Sequence, residues 1–506
     1  MIKKIIQICT ILIFLAVAIL PFLRQIGLVI PFDKEFVSLF DQRVVLIFTR
    51  TILIALGAAT LAMVIGTLLA FLFEYTNLPF KNFFQTLSFL PLLIPPYIVT
   101  ISWIQLSFPF SIYNPGTVIF ILGLAFYPLV TFIVKMALRN ISRNLEDSAR
   151  ILYPLKKVLR KITLPLVFPH ILIAGFFVFV LSISEYGVPA FLRMNTLSAE
   201  IFFQFATFYN VESAIILSIP AIFLAILLIL FYNFWVKKRC YITISTFLKK
   251  NKEGLKLQKK SLIFSLFFIL AVLLFSIIIP LFVLFKESKL NFVGAFEIAG
   301  NSILNSLWLA VLGTTIITTF SFFLAYFFQK SKHMDILILL PIAIPASIVG
   351  ISLILFWNTK TTQFLYGTFW MIIIGYFIRF APFSTKTLSP FFNQIHSSVE
   401  ESARIAGASF LQTLKKITIP LMKPGVIVAW FVGFILCLGE LAATLLLSPP
   451  GFQTLPHRIE NLMHYGAPET ISSLSLILVF LILFPVGILL ISKKSSKFLN
   501  NIYGNN

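Results

Sequence analysis

Residues 401–420 read ESARIAGASFLQTLKKITIP, and residues 147–165 read DSARILYPLKKVLRKITLP. Each string opens on an acidic residue, passes through Ser-Ala-Arg, gathers lysines or arginines and leaves on a proline. Long apolar runs flank both. Two polar loops this alike, set between the same kinds of segment, mark a duplicated chain.

Other unusual features recur at a shift of about 250 to 256 residues. Leu90-Pro91 and Pro95 match Leu340-Pro341 and Pro345, Pro128 matches Pro382, Pro165 matches Pro420, and Glu185 matches Glu440. Their order is the same in both halves.

The composition says what surrounds the repeats. The 506 residues are 59% hydrophobic and 11% charged, with a mean hydropathy of +0.99. A water-soluble globule has nowhere to put so much apolar surface, so the bilayer is the solvent. The net charge of +22 would point to nucleic acid in a soluble protein. Here the basic residues sit between apolar runs, so the charge reads as topological and no nucleic-acid partner is expected. Cys9, Cys240 and Cys437 lie far apart without metal-ligand spacing, so neither a disulfide framework nor a fixed metal site follows.

Runs near the length that crosses about 30 Å of hydrocarbon fall at 5–23, 48–75, 83–108, 117–138, 166–192 and 211–236. The second half gives 261–285, 300–329, 334–357, 365–386, 421–447 and 470–492. The expected fold is an all-α integral membrane protein of about twelve transmembrane helices. An even number of crossings per copy makes the copies parallel, related by an axis along the membrane normal. The first run follows Lys3 and Lys4 and could be read as a signal peptide, but it continues apolar to Leu23, and an uncleaved anchor is expected.

An inside amino terminus sends 135–165, 237–260, 386–420 and 493–506 to the cytoplasm, where most Lys and Arg then fall. Both termini are expected there, by the positive-inside rule. The expected organisation is an anchor helix and external loop (1–47), a first permeation unit (48–236), a basic linker with helix 7 and an external loop (237–299), a second unit (300–492) and a tail (493–506).

The two polar loops read as short amphipathic helices. Ser398 three residues before Glu401 has capping-box spacing, and Asn144 and Asp147 hold the same places in the first copy. Ser148-Ala149-Arg150 and Ser402-Ala403-Arg404 offer small residues that let another surface approach. Lys156, Lys157, Arg160 and Lys161, and Lys415 and Lys416, suit a helix carboxyl end. Pro165 and Pro420 are expected to stop the loop helices.

These loops resemble those of permease subunits of binding-protein-dependent ABC importers, whose pattern is EAA…G…I.LP. The second copy carries Glu401-Ser402-Ala403, Gly407, Ile417 and Pro420. The first carries Asp147-Ser148-Ala149, Ile162 and Pro165, is one residue shorter, and has Leu152-Tyr153 where the glycine belongs. The resemblance implies the type I ABC importer permease fold. It implies loops that act as coupling helices seated on two copies of an ATP-binding subunit, with ATP and Mg on that partner and none on this chain. It also implies an external substrate-binding protein and the bacterial cytoplasmic (inner) membrane. The missing glycine puts equal docking of the copies in question. A basic helix lying on anionic lipid is the other reading of such a loop.

No GxxxxGK[ST] string occurs, so the energy source is expected on a separate chain and this one is not expected to be an enzyme. A proton-coupled secondary transporter also uses twelve helices in a parallel repeat. It commonly carries a Gly-, Asp- and Arg-rich turn between helices 2 and 3, and residues 76–82 here read TNLPFKN.

Glu185 and Glu440 are the two carboxylates placed inside apolar runs and away from their ends, where burial is expensive unless the group is paired or hydrated. Either they line a translocation path, or they are structural, bonded to backbone or to the intramembrane Arg379. Pro91, Pro95, Pro341 and Pro345 are read either as packing kinks or as a moving gate, since membrane helices tolerate proline where neighbours satisfy the freed carbonyl. The strings around Glu185 (EYGVP) and Glu440 (ELAATLLL, then GFQTL) resemble ferric-iron permeases. That implies ferric iron as substrate; thiamine, polyamine, sulfate and phosphonate importers share the fold.

Overall fold

The computed structural model describes residues 2–28, 41–106, 111–141, 143–231, 258–328, 331–395 and 397–491. The linker 237–257 and the tail 493–506 lie outside these, as do the side chains of Asn144, Asp147 and Lys156. Every regular element among the described residues is helical.

The first copy runs α1 (Ile2–Gly27), α2 (Gln42–Tyr75), α3 (Lys81–Leu92), α4 (Pro96–Gln105), α5 (Pro115–Arg139), the loop helix α6 (Arg143–Leu152), α7 (Leu159–Ser184), α8 (Gly187–Phe191), α9 (Leu197–Ala206) and α10 (Val211–Phe231). The second repeats that order. It runs α11 (Lys259–Ser288), α12 (Phe292–Phe328), α13 (Lys332–Ala343), α14 (Ala346–Trp357), α15 (Phe369–Gln394), the loop helix α16 (Ser397–Ile405), α17 (Phe410–Leu438), α18 (Ala442–Leu447), α19 (Leu455–Tyr465) and α20 (Pro468–Ile491).

Among the described residues, 9 helices are straight enough, long enough and apolar enough to cross a membrane, and up to 11 spans result if each bent pair counts as one. The bent pairs are the expected runs 83–108 and 334–357. They turn by 90° between α3 and α4 and by 102° between the corresponding helices α13 and α14. The remaining expected segment, 365–386, is α15, a helix of 26 residues that carries Arg379 and Lys386 and is the least apolar of the set.

The longest helices are α2, with 34 residues, and α12, with 37. At 1.5 Å per residue each exceeds about 50 Å, more than a bilayer core needs. Each buries a stripe of small residues: Ala55, Ala58, Ala59, Ala62, Gly66 and Ala70 on α2, and Ala295, Ala299, Ser302, Ser306, Ala310 and Gly313 on α12. Against lipid, where no hydrophobic force separates helix from solvent, close backbone approach supplies the packing. A Cβ on Gly66 would lie 2.6 Å from Val130 Cβ and 2.8 Å from the Tyr127 carbonyl, so α2 and α5 touch backbone to side chain there.

Two compact units result. One joins residues 38–200 with 220–287; the other joins 1–37 and 201–219 with 288–506. The boundaries read from hydropathy give each copy a contiguous stretch, whereas packing sends the leading helix of each copy to the other unit. Within one unit, α11 places Phe275 against Trp103 and Phe120 and buries Ile269, Val272 and Leu273 beside Leu69 and Tyr127. Within the other, α1 buries Gln25, whose amide oxygen accepts from Ser352 of α14. Arg24 donates to the Phe356 carbonyl at 3.1 Å.

Three helices pass through a proline by widening. Turns of π-helix at Leu159–Thr163, Leu274–Ile278 and Leu414–Thr418 each end two residues before a proline, at Pro165, Pro280 and Pro420. Proline has no N–H for the carbonyl four residues back and its ring crowds that carbonyl; one wide turn relieves both. Pro165 and Pro420 therefore do not stop the loop helices. The loop helices end earlier, at Leu152 and Ile405, and the two prolines lie inside α7 and α17.

Candidate functional site

Between α15 and α17, the loop helix α16 ends in a Schellman turn. The Ala408 N–H donates to the Ala403 carbonyl and the Gly407 N–H to the Arg404 carbonyl, each at 3.0 Å, with Gly407 at φ +80°. Only a residue without Cβ holds that conformation at no steric cost. Ser409 then caps the next helix through a reciprocal box with Gln412, accepting at 3.3 Å and donating its N–H at 2.8 Å. The box expected at Ser398 and Glu401 forms here instead, because α16 already begins at Ser397 and places Ser398 inside its first turn.

The faces of α16 divide sharply. Glu401, Ser402, Arg404, Ile405 and Gly407 are exposed and Ala403 is half-buried. Glu400, which the sequence reading passed over, turns inward. Its Oε2 accepts from the Tyr326 hydroxyl at 3.0 Å and its Oε1 from the Thr418 hydroxyl at 3.1 Å, while Arg404 lies 3.9 Å away. The signal available in sequence was the doubled acid Glu400-Glu401 with Arg404 four residues after the first.

The matching helix of the first copy, α6, exposes Ser148 and Arg150 and half-buries Ala149; Ile151 and Leu152 stand out into solvent. It closes differently. Tyr153 N–H donates to the Ala149 carbonyl at 2.9 Å, and Pro154 prevents the helix from continuing. Lys157 lies 4.2 Å from the Tyr153 ring centroid. No positive φ occurs in this turn among the described residues, so Tyr153, in the place of the glycine, is unstrained because Pro154 ends the helix without a left-handed residue.

Within the membrane runs, Glu440 sits at a break between α17 and α18. Arg379 of α15 donates to its Oε1 at 2.7 Å, with the Glu440 side chain fully buried. The backbone N–H groups of Ala443 and Thr444 donate to the same carboxylate at 2.9 Å and 2.8 Å, and the Thr444 hydroxyl does so too. This is the structural option open at the sequence level, with Arg379 as the partner. Glu185 occupies the corresponding break between α7 and α8 and is half-exposed. Ala125 stands in register with Arg379, so the first copy lacks that cation.

The prolines divide by role. Pro95 and Pro345 sit at the two sharp bends, immediately before α4 and α14; Pro91 lies in a short 3-10 turn and Pro341 inside α13. Around the second bend, α14 packs so closely on α18 that a Cβ on Gly350 would come 2.7 Å from Leu446. In the first copy the corresponding contact is Tyr97 edge-on to Phe191 at 6.1 Å.

The repeat also reaches the short helices after the breaks. The Leu197 N–H donates to the Thr51 hydroxyl at 2.8 Å, and the Leu455 N–H donates to the Ser306 hydroxyl at 2.6 Å. On α19, burial and the neighbouring Arg458 charge pull His457 down to about 4.

Helices that cross a membrane, in two copies, each with a broken helix pair and one exposed loop helix at the same place, define a duplicated permease. The chain belongs to the family of binding-protein-dependent transport system inner membrane components, which it matches over residues 62–239 and 319–492. It is similar to the Fe(3+)-transport system permease protein FbpB 2 of Haemophilus influenzae, with 27% identity over 86% of this chain and 88% of that protein. It is also similar to the ferric transport system permease protein FbpB of Actinobacillus pleuropneumoniae, at 22% identity over 75% and 61%. A putative 2-aminoethylphosphonate permease protein, PhnV of Salmonella typhimurium, is 30% identical over 30% of this chain and 58% of its own length. The chain is thus a multi-pass inner-membrane permease of a binding-protein-dependent ABC importer.

Proposed function

We propose that this permease carries ferric iron, delivered by an external binding protein. Two copies of an ATP-binding subunit, holding ATP and Mg, drive it from beneath α6 and α16. The observation that carries the substrate is the likeness to Fe(3+) permeases along most of the chain, whereas the phosphonate likeness covers less than a third of it. The docking reading rests on the exposed face Ser402, Arg404 and Ile405 and its counterpart Ser148, Arg150 and Ile151.

In this reading the chain makes twelve crossings with both termini in the cytoplasm, the orientation that the basic loops favour. Pro95 and Pro345 set the bends at which the pathway opens and closes. Glu440 holds α18 in place rather than binding cargo, because its oxygens already accept from Arg379, Ala443 and Thr444. Glu185, half-exposed at the matching break of the first copy, is the acid proposed to face the cargo.

The test is uptake of radioactive ferric iron by cells with and without this chain, repeated after deletion of the ATP-binding partner. Loss of uptake in both is expected. Unchanged iron uptake, with loss of 2-aminoethylphosphonate uptake instead, overturns the substrate; transport that persists without the ATP-binding partner overturns the ABC mechanism.

A further inference from the structure

α16 has 9 residues, too few to be stable as a helix alone in water. A displacement applied to such an element from outside is transmitted only if the element is fixed to the helices behind it. Glu400 supplies that fixation, because one carboxylate accepts from Tyr326 on α12 and from Thr418 on the widened turn of α17. The Tyr326 ring lies 5.7 Å from the Phe392 centroid and 6.2 Å from the Phe410 centroid, so it also touches both ends of the loop. On its remaining side Lys3 of α1 approaches to 5.7 Å.

Docking face and anchoring face are therefore separate on one helix. Glu401, Ser402 and Ile405 look outward, whereas Glu400 looks inward, with the exposed Arg404 beside it at the edge of the two faces. We propose that Tyr326, Glu400 and Thr418 form a latch that makes α16 move as one body with α12 and α17, so that Tyr326 and Glu400 are positioning residues for coupling ATP hydrolysis to transport. The coupling half of this rests on the reading of α16 as the ATPase-docking helix; the mechanical half does not.

The two copies differ at this point. Leu69-Ala70-Phe71 matches Leu324-Ala325-Tyr326, so the first copy has a phenyl ring where the second has the latch hydroxyl. The Tyr326→Phe variant makes the second copy like the first at a single atom.

The test has two readouts. In the chain embedded in lipid nanodiscs, hydrogen exchange of the α16 amides should speed up by about tenfold in Tyr326→Phe, which loses one charge-assisted hydrogen bond, and by more in Glu400→Ala, which loses two. Glu400→Gln, which keeps an acceptor, should fall between these and the wild type. Unchanged exchange overturns the latch. In the assembled transporter, the same variants should retain capture of the ATP-binding subunit and basal ATP hydrolysis, but move several-fold less substrate per ATP. The double variant Tyr326→Phe/Glu400→Ala should be no worse than Glu400→Ala. Wild-type transport per ATP despite faster exchange overturns the positioning role. Absence of any ATP-driven transport by the wild type refutes the docking reading instead, and the exchange result still decides the latch.

Discussion

Arg379 and Glu440 form an ion pair 2.7 Å apart across 61 residues of chain, inside the apolar part of the second copy. The guanidinium packs at 5.4 Å over the Phe380 ring, and the carboxylate closes the first turn of α18. The pair therefore links α15 to the helix that follows the break in α17. It neutralises itself in doing so.

Breaking that pair from one side should be worse than removing it altogether. Arg379→Leu leaves a buried carboxylate without its cation, a loss of about 3–5 kcal/mol. The double variant Arg379→Leu/Glu440→Gln removes both charges and leaves an acceptor for the α18 amides. Thermal unfolding in detergent should show the single variant below the double; the reverse order would mean that the charges are solvated in place.

Gly407 tests the turn. Its position is open, with no atom within 4 Å of an added Cβ, so Gly407→Ala acts only through the backbone conformation at φ +80°. The strain amounts to about 1–2 kcal/mol. Gly407→Ala should weaken association with the ATP-binding subunit more than Tyr153→Ala does in the first copy, as measured by co-purification and transport. Equal losses would count against unequal docking.

Gly66 tests the helix contact. Gly66→Ala drives a methyl group into the Tyr127 carbonyl and Val130, and backbone does not give way as a flexible side chain would. The expected loss is about 1–3 kcal/mol, read as a lower melting temperature. Gly487→Ala meets nothing within 4 Å and should leave the melting temperature unchanged.

His457 gives α19 an acid sensitivity. Its folded value near 4 lies below the ordinary 6.5 because burial and Arg458 oppose the charged ring. The unfolded segment then binds a proton that the folded one refuses, so local stability is complete above pH 6.5 and falls as pH drops toward 4. Burial pushes Glu460 the other way, upward, so its contribution weakens as pH rises. Limited proteolysis across residues 455–465 should show cleavage increasing below pH 6 in the wild type, at about the range where histidine titrates. His457→Asn should flatten that dependence.

Local chemistry made much of this molecule legible. Apolar runs of bilayer length located the crossing segments, and Gly407 and the paired prolines marked turns, because backbone limits act within a few residues. The repeat showed itself because loops carry polar residues that chance hydrophobicity does not reproduce. Ser398 and Ser409 both have capping-box spacing in the sequence, and only the register of α16, which begins at Ser397, selects Ser409. Pro165 and Pro420 read as stops in the sequence because an interior proline removes a helix bond; the wide turns that absorb it have no sequence signature of their own.

The sequence by itself determined that the chain is helical, lies in a membrane, and is built twice from one plan with one polar loop helix per copy. Tertiary structure alone decided that α1 packs with the second copy and α11 with the first, that the broken pairs turn by 90° and 102°, and that Glu400 rather than Glu401 faces inward. Hydropathy is a property of each segment against lipid and is nearly the same on every face of a membrane helix. Partner choice depends on small residues and single hydrogen bonds between distant positions, such as Gln25 with Ser352, 327 residues apart, and no local pattern encodes such a distance.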